Sequence, residues 1–143
     1  MKPVLQTEGE FEGWYYWPTE YFEFATAGPF YYKKIGDEYV SRFRAARKHL
    51  NGGRTVHGGC LMTFADFALF SIAHDAIDYY AVTVAFNSEF LSAAREGQLM
   101  EARGEVLKAG GSMIFVRGLI TADGEPTLNF SGTIKKLKPQ STK

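Results

Sequence analysis

The chain has 143 residues, of which 45% are hydrophobic and 15% aromatic, and its 16 basic residues balance 16 acidic ones. This length and composition are typical of a folded protein with a substantial core, and we expect a single domain over residues 1–143. Because the net charge is zero, no overall field attracts nucleic acid or an anionic membrane, and neither is expected as a partner.

The cysteine and histidine content argues against disulfides and metal clusters. Cys60 is the single cysteine, which excludes an internal disulfide and fits a reducing compartment. A small thiol in an apolar stretch is more often a core residue than a nucleophile. The three histidines are scattered, so no metal site is expected. The N-terminus has early acids and no apolar signal core, and we expect a cytoplasmic location.

Residues 1–28 form an aromatic N-terminal extension. Its central stretch, Glu10 to Phe24, reads EFEGWYYWPTEYFEF and is interrupted by Pro18. The periodicity is irregular, although Tyr21 to Phe24 could form one helical turn. We favour the interpretation that the aromatic side chains pack over the domain as a lid. The alternative is that some of them wall an apolar ligand: Trp14, Tyr15, Tyr16 and Trp17.

A β-hairpin is predicted after this extension. Residues Phe30 to Ile35 have strand composition, Ile35 to Glu38 is a turn signal, and Tyr39 to Arg47 alternates between two faces. The loop His49 to Thr55 contains two glycines and leads into a long apolar stretch.

That apolar stretch, Cys60 to Ala73, carries one charged residue, Asp66. Apolar side chains lie on every side of a helical wheel, which predicts a helix enclosed by protein all round and too short to span a bilayer. A carboxylate in such a place either finds partners or shifts its pKa upward. Asp66 is therefore either a structural acid bonded to a neighbouring hydroxyl or amide, or a general base or nucleophile that lines a cleft.

Gly58 and Gly59 stand at the start of this helix. Glycines there let a substrate atom approach the backbone, and the free N–H groups of the first turn favour an oxyanion. At 1.5 Å per residue, Asp66 lies about 10 Å along the axis from Gly59, too far for both to hold one reacting atom. Either a long substrate runs past both residues, or the acid of one subunit faces the glycines of another.

Four further strands are predicted after the helix, and the chain ends in a frayed polar tail at 138–143. Two strands, one helix and four strands give an α+β fold in which about six antiparallel strands curl around the helix. The open edges of such a sheet predict a homodimer at least. The four strands are Tyr80 to Phe90, Gln98 to Lys108, Ser112 to Ala122 and Thr127 to Leu137.

A set of residues around the helix forms a recognisable pattern: Leu50-Asn51, His57-Gly58-Gly59, Asp66 nine positions after the histidine, Ala81-Val82-Thr83-Val84 and Phe90-Leu91. This pattern resembles that of the hotdog-fold acyl-CoA thioesterases of the phenylacetic-acid-pathway type, over roughly residues 29–137. The resemblance implies a helix wrapped by a curved antiparallel sheet, and homodimers or homotetramers with active sites at the dimer interface. It also implies hydrolysis of a small-molecule acyl or aroyl thioester, with coenzyme A as part of the substrate and no separate cofactor.

The resemblance implies a role for each residue of the motif. Asp66 matches the catalytic acid, which activates water or attacks the thioester carbonyl. Gly58 matches the glycine whose N–H polarises that carbonyl, with Gly59 beside it. Asn51 matches an amide that helps to hold the carbonyl or the water, unless it is only a turn residue with positive φ.

Two further positions have alternative interpretations. Thr83 falls where relatives can place a serine that positions water, or it is an ordinary strand residue. His57 matches the motif histidine, which is implied to act in orientation near the thioester, or it bonds to its own loop backbone.

The chain departs from the family pattern near position 111, in the stretch Ala109 to Ser112, which is a second hairpin signal. Many relatives have Gly-Arg there, with the arginine on the nucleotide part of coenzyme A, whereas this chain has Gly111-Ser112. Arg95, Lys108 and Arg117 could substitute for that arginine, although such charges are ordinarily solvated surface residues.

Two other functions stay open at this point. A hotdog dehydratase or hydratase is less favoured, because its motif surrounds the histidine with Pro and Phe, which Val56 to Gly59 lacks. A non-catalytic acyl-thioester binding module would use the aromatic extension to retain its ligand, and Asp66 would then be structural.

Overall fold

In the described part of the chain, a single α-helix, α1 (Gly58–Ile72), packs against an antiparallel sheet of eight strands. The structure is a computed structural model that describes residues 2–141. A π-helical turn (Glu23–Ala27) and two 3₁₀ turns (Arg47–His49 and His74–Ala76) complete the regular structure of this part of the chain. The strands are β1 (Val4–Leu5), β2 (Tyr15–Tyr16), β3 (Tyr31–Ile35), β4 (Glu38–Arg44), β5 (Tyr80–Phe90), β6 (Leu99–Ala109), β7 (Met113–Ala122) and β8 (Glu125–Leu137).

The α+β hotdog architecture is confirmed, but the expectation of about six strands was wrong. The two additional strands, β1 and β2, come from the aromatic extension and extend the sheet beyond β3. Ring packing holds them there, since Phe11 stacks on Tyr31 with centroids 4.7 Å apart and Tyr15 lies 5.9 Å from Tyr32. A strand of two residues shows no alternation, so its sequence carries no periodic signal.

The helix lies close against the sheet because small residues leave room for it. A Cβ atom on Gly132 of β8 would lie 2.4 Å from Leu69 Cδ1, so a larger residue would push α1 away. Near the C-terminal end of α1, the buried hydroxyl groups of Ser41 and Ser71 form a hydrogen bond of 2.6 Å. The buried helix residues are Leu61, Phe64, Ala65, Phe67, Ala68, Leu69 and Ser71.

The expectation that protein encloses this helix all round was wrong for the single chain. The sheet covers one side, and the opposite side is left partly open. Met62 is 40% exposed, and Thr63, Asp66 and Phe70 are only half-buried. The acid in the helix therefore lies on the side that is left partly open.

The sheet order β1-β2-β3-β4-β6-β7-β8-β5 places β5 at an edge, paired with β8 alone. A register shift occurs between Thr83 and Ala85, and such bulges reorient side chains locally. Apolar side chains of this edge strand, including Val84 and Phe90, are exposed. This edge is suited to pairing with another strand.

The C-terminal residues add little to this architecture. Residues 138–141 of the predicted frayed tail have no regular secondary structure and are exposed, and the rest of that tail lies outside the described residues. Within residues 2–141, no helix has the length and apolar character required to cross a membrane.

Candidate active site

Asp66 and Thr83 form the centre of the candidate site. The Thr83 hydroxyl donates a hydrogen bond of 2.6 Å to Asp66 Oδ1, which joins the middle of α1 to the edge strand β5. Burial raises the pKa of Asp66 above its ordinary value, and the Thr83 hydrogen bond acts in the opposite direction. A carboxylate that is partly desolvated and held by one donor is suited to accept a proton.

A cavity of about 410 Å³ lies beside this pair. It extends from Asp66 toward the C-terminal end of α1, and aromatic and aliphatic side chains form most of its wall. A second, shallower cavity meets the first at four shared residues, Glu20, Glu23, Asp66 and Thr83. The apolar lining of the first cavity comes from Pro3, Trp17, Phe67, Phe70, Ile77, Tyr79, Tyr80, Ala81 and Val82.

One residue of the aromatic extension both packs on the domain and lines the cavity, as the two interpretations of the sequence separately proposed. Trp17 packs on Phe67 of the helix, with ring centroids 5.0 Å apart, and also lines the cavity. Trp14 is buried away from the cavity, and the guanidinium group of Arg42 lies over its ring. Of the four aromatic residues proposed as a ligand wall, Trp17 alone lines either of these two cavities.

Glu23 is an ionisable residue of this site that sequence reasoning missed. Its carboxyl group lines both cavities together with Asp66. Burial first, and then the charges of Glu20 and Asp66, raise the pKa of Glu23 to about 8. The local signal was a single acid between Phe22 and Phe24, and nothing in that pattern indicates a long-range contact with α1.

The loop before α1 uses the motif histidine as a helix cap. His57 is the N-cap residue, and its Nδ1 accepts a hydrogen bond of 2.8 Å from the N–H of Gly59. That bond engages Gly59, a predicted oxyanion donor. The N–H of Gly58 has no acceptor among residues 2–141, and the ring of Phe90 would lie 3.0 Å from a Cβ at this position. Gly58 is therefore the free donor of the pair.

Asn51 organises the loop that leads to this cap. Its Oδ1 accepts from the N–H groups of Gly53 and Thr55 at 3.0 Å and 3.1 Å. Asn51 is thus a turn residue, but the positive φ expected for it belongs to Arg54, with φ of 62°. In this arrangement the amide group is bound to its own loop.

The single chain does not bring all predicted catalytic residues together. Asp66 and Thr83 share a cavity, whereas neither cavity is lined by Asn51, His57, Gly58 or Gly59. The helix separates Gly58 from Asp66 by about two turns. Within one chain, the acid and the free glycine N–H are therefore kept apart.

The three predicted contacts with the nucleotide part of coenzyme A also lie away from these cavities. Arg117 forms an ion pair with Glu105 across β6 and β7, and both side chains are more than half exposed. Arg95 lies in the loop after β5, and Lys108 lies near the end of β6, both exposed. No role of these residues follows from their positions in one chain.

Cys60 has the properties of a core residue. Burial raises the pKa of its thiol to about 11, so the thiolate required of a nucleophile is scarce at neutral pH. This agrees with the interpretation drawn from the sequence.

Comparison with known proteins identifies similar sequences. The family model of the thioesterase superfamily matches residues 53–128. A Pseudomonas aeruginosa protein provisionally named an esterase is 35% identical over 91 residues, which cover 62% of this chain and 68% of that protein.

Solved structures share the fold at lower identity. The PaaI protein from the phenylacetic acid degradation operon of Escherichia coli has a TM-score of 0.73 and 22% identity, covering 85% of this chain and 88% of that one. A Streptococcus pneumoniae protein described as a hypothetical thioesterase, solved with coenzyme A, has a TM-score of 0.66 and 21% identity, covering 74% and 86%. A Streptococcus mutans protein bound to acetyl-CoA has a TM-score of 0.65 and 18% identity, covering 74% and 91%. At these identities the likeness establishes the fold.

Proposed function

The chain belongs to the thioesterase superfamily, and we propose that it hydrolyses acyl or aroyl thioesters at Asp66. The observation that carries this proposal is the hydrogen-bonded pair of Asp66 and Thr83 beside an apolar cavity of about 410 Å³. A cavity of this size accommodates an acyl group of moderate length or an aromatic ring.

The reaction requires a base for water and a donor for the developing oxyanion. Thr83 holds Asp66 Oδ1, which leaves Oδ2 to take the proton from the attacking water. The N–H of Gly58 begins α1, where the helix dipole favours negative charge on the carbonyl oxygen. Coenzyme A is the proposed thiol carrier, and the Streptococcus pneumoniae and Streptococcus mutans neighbours solved with coenzyme A and acetyl-CoA support this choice.

A complete site requires a second copy of the chain, and we propose a homodimer or homotetramer built on β5. This strand is at the sheet edge and exposes Val84 and Phe90, so pairing would bury apolar surface and satisfy open backbone groups. Phe90 also lies over Gly58, so pairing at this edge would bring a partner subunit close to the free glycine N–H.

Asp66→Asn is the direct test of the hydrolase proposal. The amide keeps the shape of the side chain and can still accept from Thr83, but it cannot take a proton from water. We expect kcat to fall by about 10² to 10⁴, measured as free thiol released from a panel of acyl-CoA substrates. Glu12→Gln is the matched control, since Glu12 is an exposed acid of the extension and its loss is expected to leave kcat unchanged.

The same assay separates hydrolysis from non-catalytic binding. A protein that binds acyl-CoA saturably, but releases no more thiol than its Asp66→Asn variant, would be a binding module in which the bond from Thr83 marks a structural acid. That result would overturn the hydrolase proposal for every substrate tested.

A further inference from the structure

Glu23 lies where a second carboxyl group could take part in the reaction proposed above. It begins the π-helical turn Glu23–Ala27, which packs against α1, and it lines the same two cavities as Asp66 and Thr83. The family model matches only residues 53–128. The segment that carries Glu23 is therefore outside the part of the chain that the family match describes.

The π-helical turn is fixed to the loop that precedes α1. His49, which is buried, donates from Nε2 to the carbonyl of Ala27 at 2.7 Å, because its Nδ1 accepts from the N–H of Ala46 at 2.8 Å. Lys48 donates to the carbonyl of Gly28, the next residue. Two side chains of one loop thus hold the end of the turn, and Glu23 has a defined position relative to the helix.

The carboxyl group of Glu23 is open to a ligand. Within residues 2–141, its oxygen atoms have no hydrogen-bond partner in the protein. No buried side-chain oxygen of this part of the chain lacks a partner, so the oxygens of Glu23 must remain accessible to the cavities. A neutral carboxyl group in this position has a proton that it can donate to a substrate.

The surroundings of Glu23 favour its neutral form. Burial first, and then the charges of Glu20 on its own segment and of Asp66 on α1, raise the pKa of Glu23 to about 8. Asp66 is instead held by Thr83, a bond that favours its ionised form. Two carboxyl groups with such different surroundings can divide the roles of acid and base. The other ionisable groups that line these cavities are His74, Asp78, Tyr79 and Tyr80.

We propose that Glu23 is the general acid of this thioesterase site and gives its proton to the departing sulfur. Asp66 takes a proton from water as the new C–O bond forms at the thioester carbonyl. The C–S bond then breaks, its electron pair goes to sulfur, and the Glu23 proton converts the sulfur to a free thiol. The proton on Asp66 passes to Glu23, and the carboxylic acid product releases its own proton to solvent.

The test compares two leaving groups in Glu23→Gln and in the control Glu12→Gln. An acyl-CoA releases an alkyl thiolate that benefits from protonation, whereas a nitrothiophenyl ester of the same acid releases a stable thiolate that does not. With Glu23→Gln we expect kcat for the acyl-CoA to fall by about 10², and kcat for the nitrothiophenyl ester to stay within about threefold of the parent protein. Glu12→Gln is expected to change neither.

The pH profile gives a second readout. With acyl-CoA, kcat of the parent protein should decline as pH rises past about 8, where Glu23 loses its proton, and Glu23→Gln should remove this decline. Glu20→Gln removes a charge that raises the pKa of Glu23, so it should move the decline to lower pH. This variant serves if Glu23→Gln does not fold.

Equal losses with both leaving groups, or a basic decline that persists in Glu23→Gln, would overturn the role of Glu23. An unmoved decline in Glu20→Gln would do the same. These outcomes leave the hydrolase proposal intact as long as Asp66→Asn is inactive with both substrates. If the parent protein cleaves neither substrate, the hydrolase proposal itself fails.

Discussion

Two regions of the molecule meet at Asp66, and they differ in how their structure is encoded. The first is the loop and helix of residues 49–72, where glycines, a capping histidine and an apolar run make both the helix and its acid visible in the sequence. The second is the aromatic extension of residues 2–28, whose short strands and single turn have no regular pattern. Yet the extension supplies Trp17, Glu20 and Glu23 to the same cavity. Local sequence patterns therefore predict the part of this site that lies on the helix, but not the part that the extension supplies.

The largest expected effect is on the free energy of unfolding, and it tests whether the extension is part of the core. Trp17→Ala removes a ring that packs between Tyr32, 4.5 Å away, and Phe67, 5.0 Å away, by ring centroids. Because Trp17 is half-buried, we expect a loss of about 2–3 kcal/mol in the free energy of unfolding, measured by urea denaturation. Tyr21→Ala is the control, because Tyr21 is 79% exposed and its loss should cost less than about 0.5 kcal/mol. Equal effects of the two variants would show that the extension only lies on the surface.

A smaller effect is expected at the contact between α1 and β5. Thr83→Val removes the hydrogen bond that lowers the pKa of Asp66, so the pKa of Asp66 rises and its basic form is populated only at higher pH. The acidic limb of kcat/KM should move to higher pH, with about a tenfold loss of rate on its acidic side. Thr83→Ser keeps the hydroxyl and should retain the parent profile. If the acidic limb lies at the same pH in both variants, the Thr83 hydroxyl does not set the pKa of Asp66, and the prediction is wrong.

The elements behind these two predictions differ in how well the sequence predicts them. The strand β5 was predicted at Tyr80 to Phe90 and is observed there, because alternation over that length is a strong signal. The strand β8 begins at Glu125, two residues before its predicted start, since Asp123 and Gly124, both with positive φ, form the hairpin turn. Thr83, the hydrogen-bond partner of Asp66, was among the residues predicted from the sequence, whereas Glu23 was not. The position of Glu23 depends on the hydrogen bond by which His49 holds the π-helical turn, and no local pattern predicts that contact.

The smallest expected effect concerns the motif histidine. His57→Ala removes the acceptor for the Gly59 N–H and should lower the free energy of unfolding by about 1 kcal/mol, as the loss of a helix cap does. His57→Asn restores a capping side chain and should recover most of that loss in thermal denaturation. If Asn recovers stability but not kcat, His57 has a further role at the thioester. If it recovers both, His57 is a cap.

The separation of Gly58 from Asp66 along one helix has a consequence for how this protein works in solution. Under the mechanism proposed above, each chain carries the base at one place and the oxyanion donor at another, so a lone protomer would be an incomplete catalyst. Dilution would then switch off turnover without unfolding anything, and catalytic output per molecule would rise with protein concentration until association saturates.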